Sequence, residues 1–170
     1  MVRGNWMRVT LIMAVVGVLA TPLVLAQSPS QDPKSTRWPI NRKAPIVSMS
    51  RPTKVSGDGM STPSGVKYWD IQTGEGDPAA KGHVVSVLFK AWVEGGKAFD
   101  GSTSRDKPTI FTLGVGQVIR GWEEGVEGMK VGGKRQLRIP PELAYGAAGV
   151  PSLVPPNATL IFDVEIVGLQ

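Results

Sequence analysis

The chain contains no cysteine and one histidine, His83. The first absence excludes disulfide staples, thiol nucleophiles and cysteine-ligated zinc. The second excludes paired-histidine metal centres and leaves any serine triad dependent on one imidazole. Charge of a single sign is also missing where a nucleic-acid-binding domain would need it. The net charge of +5 is unevenly spread. Residues 27–64 hold six basic side chains (Lys34, Arg37, Arg42, Lys43, Arg51, Lys54) against Asp32 and Asp58, whereas Gly65 to Gln170 holds 11 basic and 12 acidic residues. The excess therefore belongs to the tails, and a basic folded domain for nucleic acid is not supported. With 170 residues, 41% of them apolar, the chain has material for one core and is neither a disordered polyanion nor a polytopic membrane protein.

What is present begins with a short targeting layout. Arg3 and Arg8 precede an apolar run from Val9 to Ala26, closed by Val24-Leu25-Ala26 and followed by polar Gln27-Ser28-Pro29. This predicts a signal peptide over residues 1–26, cleaved after Ala26, and an exported protein; an uncleaved anchor is the competing reading. No cysteine stands at the cleavage site, so lipid attachment there is excluded. Residues 27–64 carry six prolines and many serines and threonines, the composition of a flexible linker, and residues 65–170 are expected to form the folded domain.

Within that domain, Val84 to Val93 is rich in β-branched and aromatic residues and ends in Glu94-Gly95-Gly96-Lys97, a hairpin signal. Thr159 to Val167 alternates, with Leu160, Phe162, Val164 and Ile166 on one face and Asp163 and Glu165 on the other. Lys134 to Ile139 and Val66 to Ile71 are further strand candidates. Val118 to Val126 supports only a short helix, with Ile119, Trp122 and Val126 on one face. One short helix laid on antiparallel strands is an α+β arrangement.

Two nucleotide-binding patterns fail on context. Gly74-Glu75-Gly76-Asp77-Pro78-Ala79 has the spacing of a dinucleotide fingerprint, but a strand follows where the motif needs a helix. Gly128 to Lys134 has the spacing of a phosphate loop, but Arg135 stands in place of the required Ser or Thr. Both read as turns, and His83, with no carboxylate or serine at defined spacing, reads as a surface residue.

Five motifs occur in order: Gly96-Lys97-Ala98-Phe99-Asp100; Val118-Ile119-Arg120-Gly121-Trp122-Glu123-Glu124-Gly125; Ala144-Tyr145-Gly146-Ala147-Ala148-Gly149; Val154-Pro155-Pro156; and Ala158-Thr159-Leu160-Ile161-Phe162-Asp163-Val164-Glu165. On these residues, Gly65 to Gln170 resembles the FKBP-type peptidyl-prolyl cis-trans isomerases. The resemblance implies a bent antiparallel sheet of five or six strands wrapped on one short α-helix, and an activity that accelerates X-Pro isomerisation in the folding of exported proteins. It implies a monomer that acts on proline-containing polypeptides and takes macrolides of the FK506 type, without cofactor, metal or nucleic acid. A non-catalytic peptide-binding or chaperone module using the same pocket is the alternative. Export and the lack of cysteine point to a bacterial envelope, periplasmic or extracellular.

Carried over by position, the resemblance makes Trp122 the pocket floor and Phe99, Phe111, Val118, Ile119 and Phe162 its walls, with Leu153 and Val154 as a lip. Tyr145 would donate its hydroxyl to one substrate carbonyl and the Ile119 backbone N–H would bind another, while Asp100 and Arg105 would form the polar rim. The chain departs from the family pattern at Phe89, where tyrosine is usual, and at Thr109, Gln117 and Val150. Phe89 lacks the hydroxyl that would help orient Asp100, which bears on macrolide affinity more than on fold.

Overall fold

The computed structural model describes residues 51–170. The expected signal peptide and residues 27–50 of the expected linker lie outside the described residues. Seven antiparallel strands form one sheet: β1 Met60–Ser61, β2 Lys67–Gln72, β3 Val84–Val93, β4 Ala98–Ser102, β5 Thr109–Thr112, β6 Lys134–Ile139 and β7 Leu160–Leu169. The spatial order is β1-β2-β6-β7-β3-β4, with β5 also paired to β3. Among the described residues the one α-helix, α1 Arg120–Val126, lies between β5 and β6, and Pro141–Leu143 forms a single 3-10 turn.

β3 is the hub because its sequence satisfies two faces and two edges at once. Val85, Val87, Phe89 and Ala91 alternate inward and are buried, and the strand pairs with β7 along one edge and with β5 then β4 along the other. β7 answers with Leu160, Phe162, Val164 and Ile166 inward and Asp163 and Glu165 outward, the alternation its sequence predicts. β6 adds Leu137 and Ile139 to the same inner face. Each such side chain fully withdrawn from water contributes roughly 1.5–3 kcal/mol.

The helix closes on this face through glycine. A Cβ at Gly121 would lie 2.2 Å from Ile139 Cγ2, and one at Gly125 would lie 2.7 Å from Leu137 Cδ1. Only hydrogen at these positions lets α1 approach β6 closely enough to bury Trp122 and Val126 completely.

Three expectations change. The sheet has seven strands rather than five or six. β1 falls inside the segment expected to be linker, so strand pairing begins before Gly65: Met60 pairs with Tyr68 and Ser61 with Lys67. Two residues are too few to display an alternation. Finally, α1 begins at Arg120 rather than Val118, because Ile119 is extended (φ −61°, ψ 148°) and brings no capping side chain.

Candidate active site

Trp122 lies at the centre of an aromatic cluster drawn from four elements. α1 supplies Trp122, β3 supplies Phe89, β5 supplies Phe111 and β7 supplies Phe162. Phe89, Phe162 and Phe111 meet the indole edge-on, with ring centroids 5.1, 5.3 and 5.9 Å away. Edge-to-face contacts of this kind add roughly 0.5–1.5 kcal/mol each beyond burial and hold the rings at fixed angles. Phe99, half-buried, continues the cluster outward at 6.2 Å from Phe162. Val118 and Ile119, buried just before α1, fix its entry, and the Ile119 carbonyl accepts from Trp122 N at 2.9 Å and Glu123 N at 3.3 Å.

A β-bulge brings a carboxylate to this apolar wall. Across β3 and β4 the register passes from Ala91↔Asp100 to Trp92↔Ala98, leaving Phe99 as the extra residue. The bulge lets adjacent side chains both turn inward: Phe99 packs on Phe162, and Asp100 is buried beside Tyr145. The Gly101 N–H donates to Asp100 Oδ1 at 2.8 Å, which anchors the carboxylate. Tyr145 follows the 3-10 turn on a segment pinned by Gly146 N donating to Pro141 O at 2.8 Å. Burial pushes the Tyr145 phenol well above its ordinary range, and the negative charge of Asp100 pushes it further. The hydroxyl therefore stays protonated and available as a donor.

Past Tyr145 the chain makes a tight loop. Val150 and Val154 exchange backbone hydrogen bonds at 2.8 and 2.9 Å around Ser152, whose φ is 66°. An open cleft of about 390 Å³ is bounded here by Val150, Pro151, Leu153, Val154 and Pro155. The structure thus gathers Trp122, Phe89, Phe111, Phe162, Val118, Ile119 and Val154 into one core cluster, with Phe99, Leu153 and Tyr145 packed against it. Val150 borders the same opening and was not expected there. Its signal was the Val150-Pro151-Ser152-Leu153-Val154 turn, apolar at both ends.

Arg105 is placed differently from expectation. It is 67% exposed and forms an ion pair with Glu165, which faces the outer side of β7. A long, solvated side chain takes whichever partner is nearest, and Glu165 lies on the opposite face from Phe162. A second opening of about 380 Å³, lined by Leu88, Phe89, Lys90, Asp163 and Glu165 among others, lies on that outer face. His83 stands at the entry to β3, where its Nδ1 accepts from Ala80 N at 3.3 Å. Among the described residues, no three acidic or histidine side chains converge as a metal site.

Comparison with known proteins agrees with this geometry. Residues 76–167 match the sequence model of a family described as FKBP-type peptidyl-prolyl cis-trans isomerase. An FK506-binding protein of Neisseria meningitidis serogroup A is 54% identical over 97 residues, covering 57% of this chain and 89% of the relative. The chloroplastic peptidyl-prolyl cis-trans isomerase FKBP13 of Arabidopsis thaliana is 44% identical over 118 residues, 63% of this chain and 57% of the relative. Among solved structures, FkpA from Escherichia coli superposes with a TM-score of 0.60 at 43% identity, over 65% of this chain and 51% of that one. AtFKBP13 superposes with a TM-score of 0.59 at 43% identity, over 65% and 97%.

Proposed function

Since the chain belongs to the FKBP-type peptidyl-prolyl cis-trans isomerases, we propose that its isomerase activity resides at the aromatic cluster around Trp122, beside the Val150–Val154 loop that packs against it. Rotation about an X-Pro bond faces a barrier of ~20 kcal/mol because the amide must give up resonance, and the twisted amide is less charge-separated than the planar one. An apolar, closely shaped cavity favours the twisted state by removing water from the planar amide and by fitting the rotated ring. In this reading the proline ring rests on Trp122, between Phe99, Phe111 and Phe162. Phe89 stiffens the floor from behind. Tyr145 donates to a substrate carbonyl, the Ile119 N–H binds another, and Leu153 and Val154 cover the residue before proline. Asp100 holds the polar side of the cleft and sustains the neutral phenol of Tyr145.

The observation that carries this reading is the buried indole of Trp122 met edge-on by three phenylalanines. Turnover of a Leu-Pro peptide by Trp122→Leu and Tyr145→Phe tests it; full kcat/KM in both would end it. Macrolides of the FK506 type would take the same cleft, and the protein would work as a monomer. The apolar run behind Arg3 and Arg8 supports export to a bacterial envelope, where slow proline steps limit the folding of newly translocated chains. A fusion of residues 1–26 to a reporter that is active only outside the cytoplasm tests this, and a reporter left inside would refute it.

A further inference from the structure

The site just proposed depends on where α1 holds Trp122, and α1 is poorly equipped to hold itself. It has seven residues, no side-chain cap at its N-terminus and no basic residue in its last turn. Isolated helices of two turns are unstable in water, so the position of α1 is set by what docks on it. At its C-terminal end Arg135 Nη1 donates to Gly125 O at 2.9 Å and Glu127 O at 3.4 Å, while the guanidinium pairs with Asp70 and stacks 4.2 Å from the Tyr68 ring centroid.

The flank turned away from the core is met by the segment leading into β2. The hydroxyls of Thr62 and Ser64 both donate to Glu124 Oε2, at 3.1 Å from Thr62, and lie 2.9 Å from each other. Thr62 is fixed in turn, because its N–H donates to Val66 O at 2.9 Å and its Oγ1 accepts from Val66 N at 3.1 Å. The same segment is fastened at its far end to the outer face of the sheet. Thr53 N and Oγ1 donate to Asp163 Oδ2 at 2.9 and 2.8 Å, and Gln136 Nε2 donates to Thr53 O at 2.8 Å. Between these points Trp69 Nε1 donates to Gly57 O at 3.1 Å.

We propose that residues 53–64 form a strap that positions α1, with Glu124 as the positioning residue through which it sets the depth of Trp122. Glu124 and Trp122 are two residues apart on the helix, so their side chains leave opposite sides. A hydrogen-bonded anchor on one side limits how far the indole on the other can sink or tilt. The strap spans the molecule from β7 and β6 on the outer face to the helix on the inner face. Its two ends can therefore be loosened separately.

The test compares four variants of the full chain by kcat/KM on a Leu-Pro peptide and by Tm. Glu124→Ala removes the helix anchor and Ser64→Ala removes half of it, with kcat/KM expected to fall by about three- to tenfold, the scale of one net hydrogen bond. Glu124→Gln keeps an oxygen acceptor for both hydroxyls and should restore most of the loss. Thr53→Val loosens only the far end and should lower Tm while leaving kcat/KM at the wild-type value. A fall in kcat/KM that tracks Tm across all four variants, Thr53→Val included, would make the strap merely structural and overturn the proposal. Unchanged kcat/KM in Glu124→Ala would do the same. The proposal rests on Trp122 as the pocket floor, and Trp122→Leu separates the two failures. Loss there with full activity in Glu124→Ala overturns the strap alone, and full activity in both overturns the pocket reading and the strap with it.

Discussion

In the proposed site Tyr145 and Trp122 would contribute differently. Trp122 is fully buried among three rings, so Trp122→Ala should cost ~3–5 kcal/mol of stability as well as activity. Tyr145→Phe removes one oxygen from a half-buried ring and should lower turnover with a stability change within about 1 kcal/mol. Paired thermal melts and peptide assays check this; equal Tm shifts in the two variants would contradict it. The upward push on the Tyr145 phenol has a pH consequence with a definite sign. Below the ordinary tyrosine pKa of ~10 the phenol is neutral folded or unfolded, and its contribution is fully present. Above that value only the unfolded chain releases the proton, so stability falls as pH rises. Tm measured from pH 9 to 11 should drop more steeply in the wild type than in Tyr145→Phe, and parallel curves would refute the burial of this hydroxyl. At this scale the sequence was informative where residue identity is tied to backbone position, as in the motifs around Trp122, Asp100 and Tyr145. It was uninformative at Arg105, because no local pattern tells an exposed guanidinium whether to bond Asp100 or Glu165.

Elements were legible in proportion to the length of their alternation. β6 runs over Lys134–Ile139 as the pattern predicts, and β3 over Val84–Val93. β1, with two residues, and β5, with four, were not read because their partners rather than their own sequences define them. The strap was hidden for a related reason: a Pro- and Ser-rich composition shows that a segment has no core of its own, and says nothing of hydroxyls placed against Glu124 or Asp163. The glycines of α1 are the condition for its docking. Gly121→Ala should therefore destabilise by about 1–3 kcal/mol through overpacking against Ile139, despite the better helix propensity of alanine. Denaturant melts would show it, and a stabilised variant would mean that α1 sits further from β6 than described. Gly149 plays a comparable part in the loop, where φ is 60° and a Cβ would lie 2.4 Å from Val154 O.

An apolar site suits a reaction in which no bond to carbon is made or broken. If Leu153 and Val154 cover the residue before proline as proposed, leucine or phenylalanine there should be favoured over glutamate; a higher kcat/KM on a Glu-Pro peptide would refute that. In the proposed mechanism desolvation and shape drive rotation, so no group has to exchange a proton in the transition state. Histidine is the side chain that ordinarily titrates near neutrality, and the only one in the chain, His83, lies at the start of β3 outside the aromatic cluster. The most direct measurement is kcat/KM on a Leu-Pro peptide from pH 6 to pH 9, by stopped-flow detection that needs no coupled protease, with and without EDTA. A flat profile and no effect of the chelator are expected. A sigmoidal step of about tenfold or more near neutrality, or loss of activity with EDTA, would place a proton-transferring group or a bound metal in the reaction and contradict it.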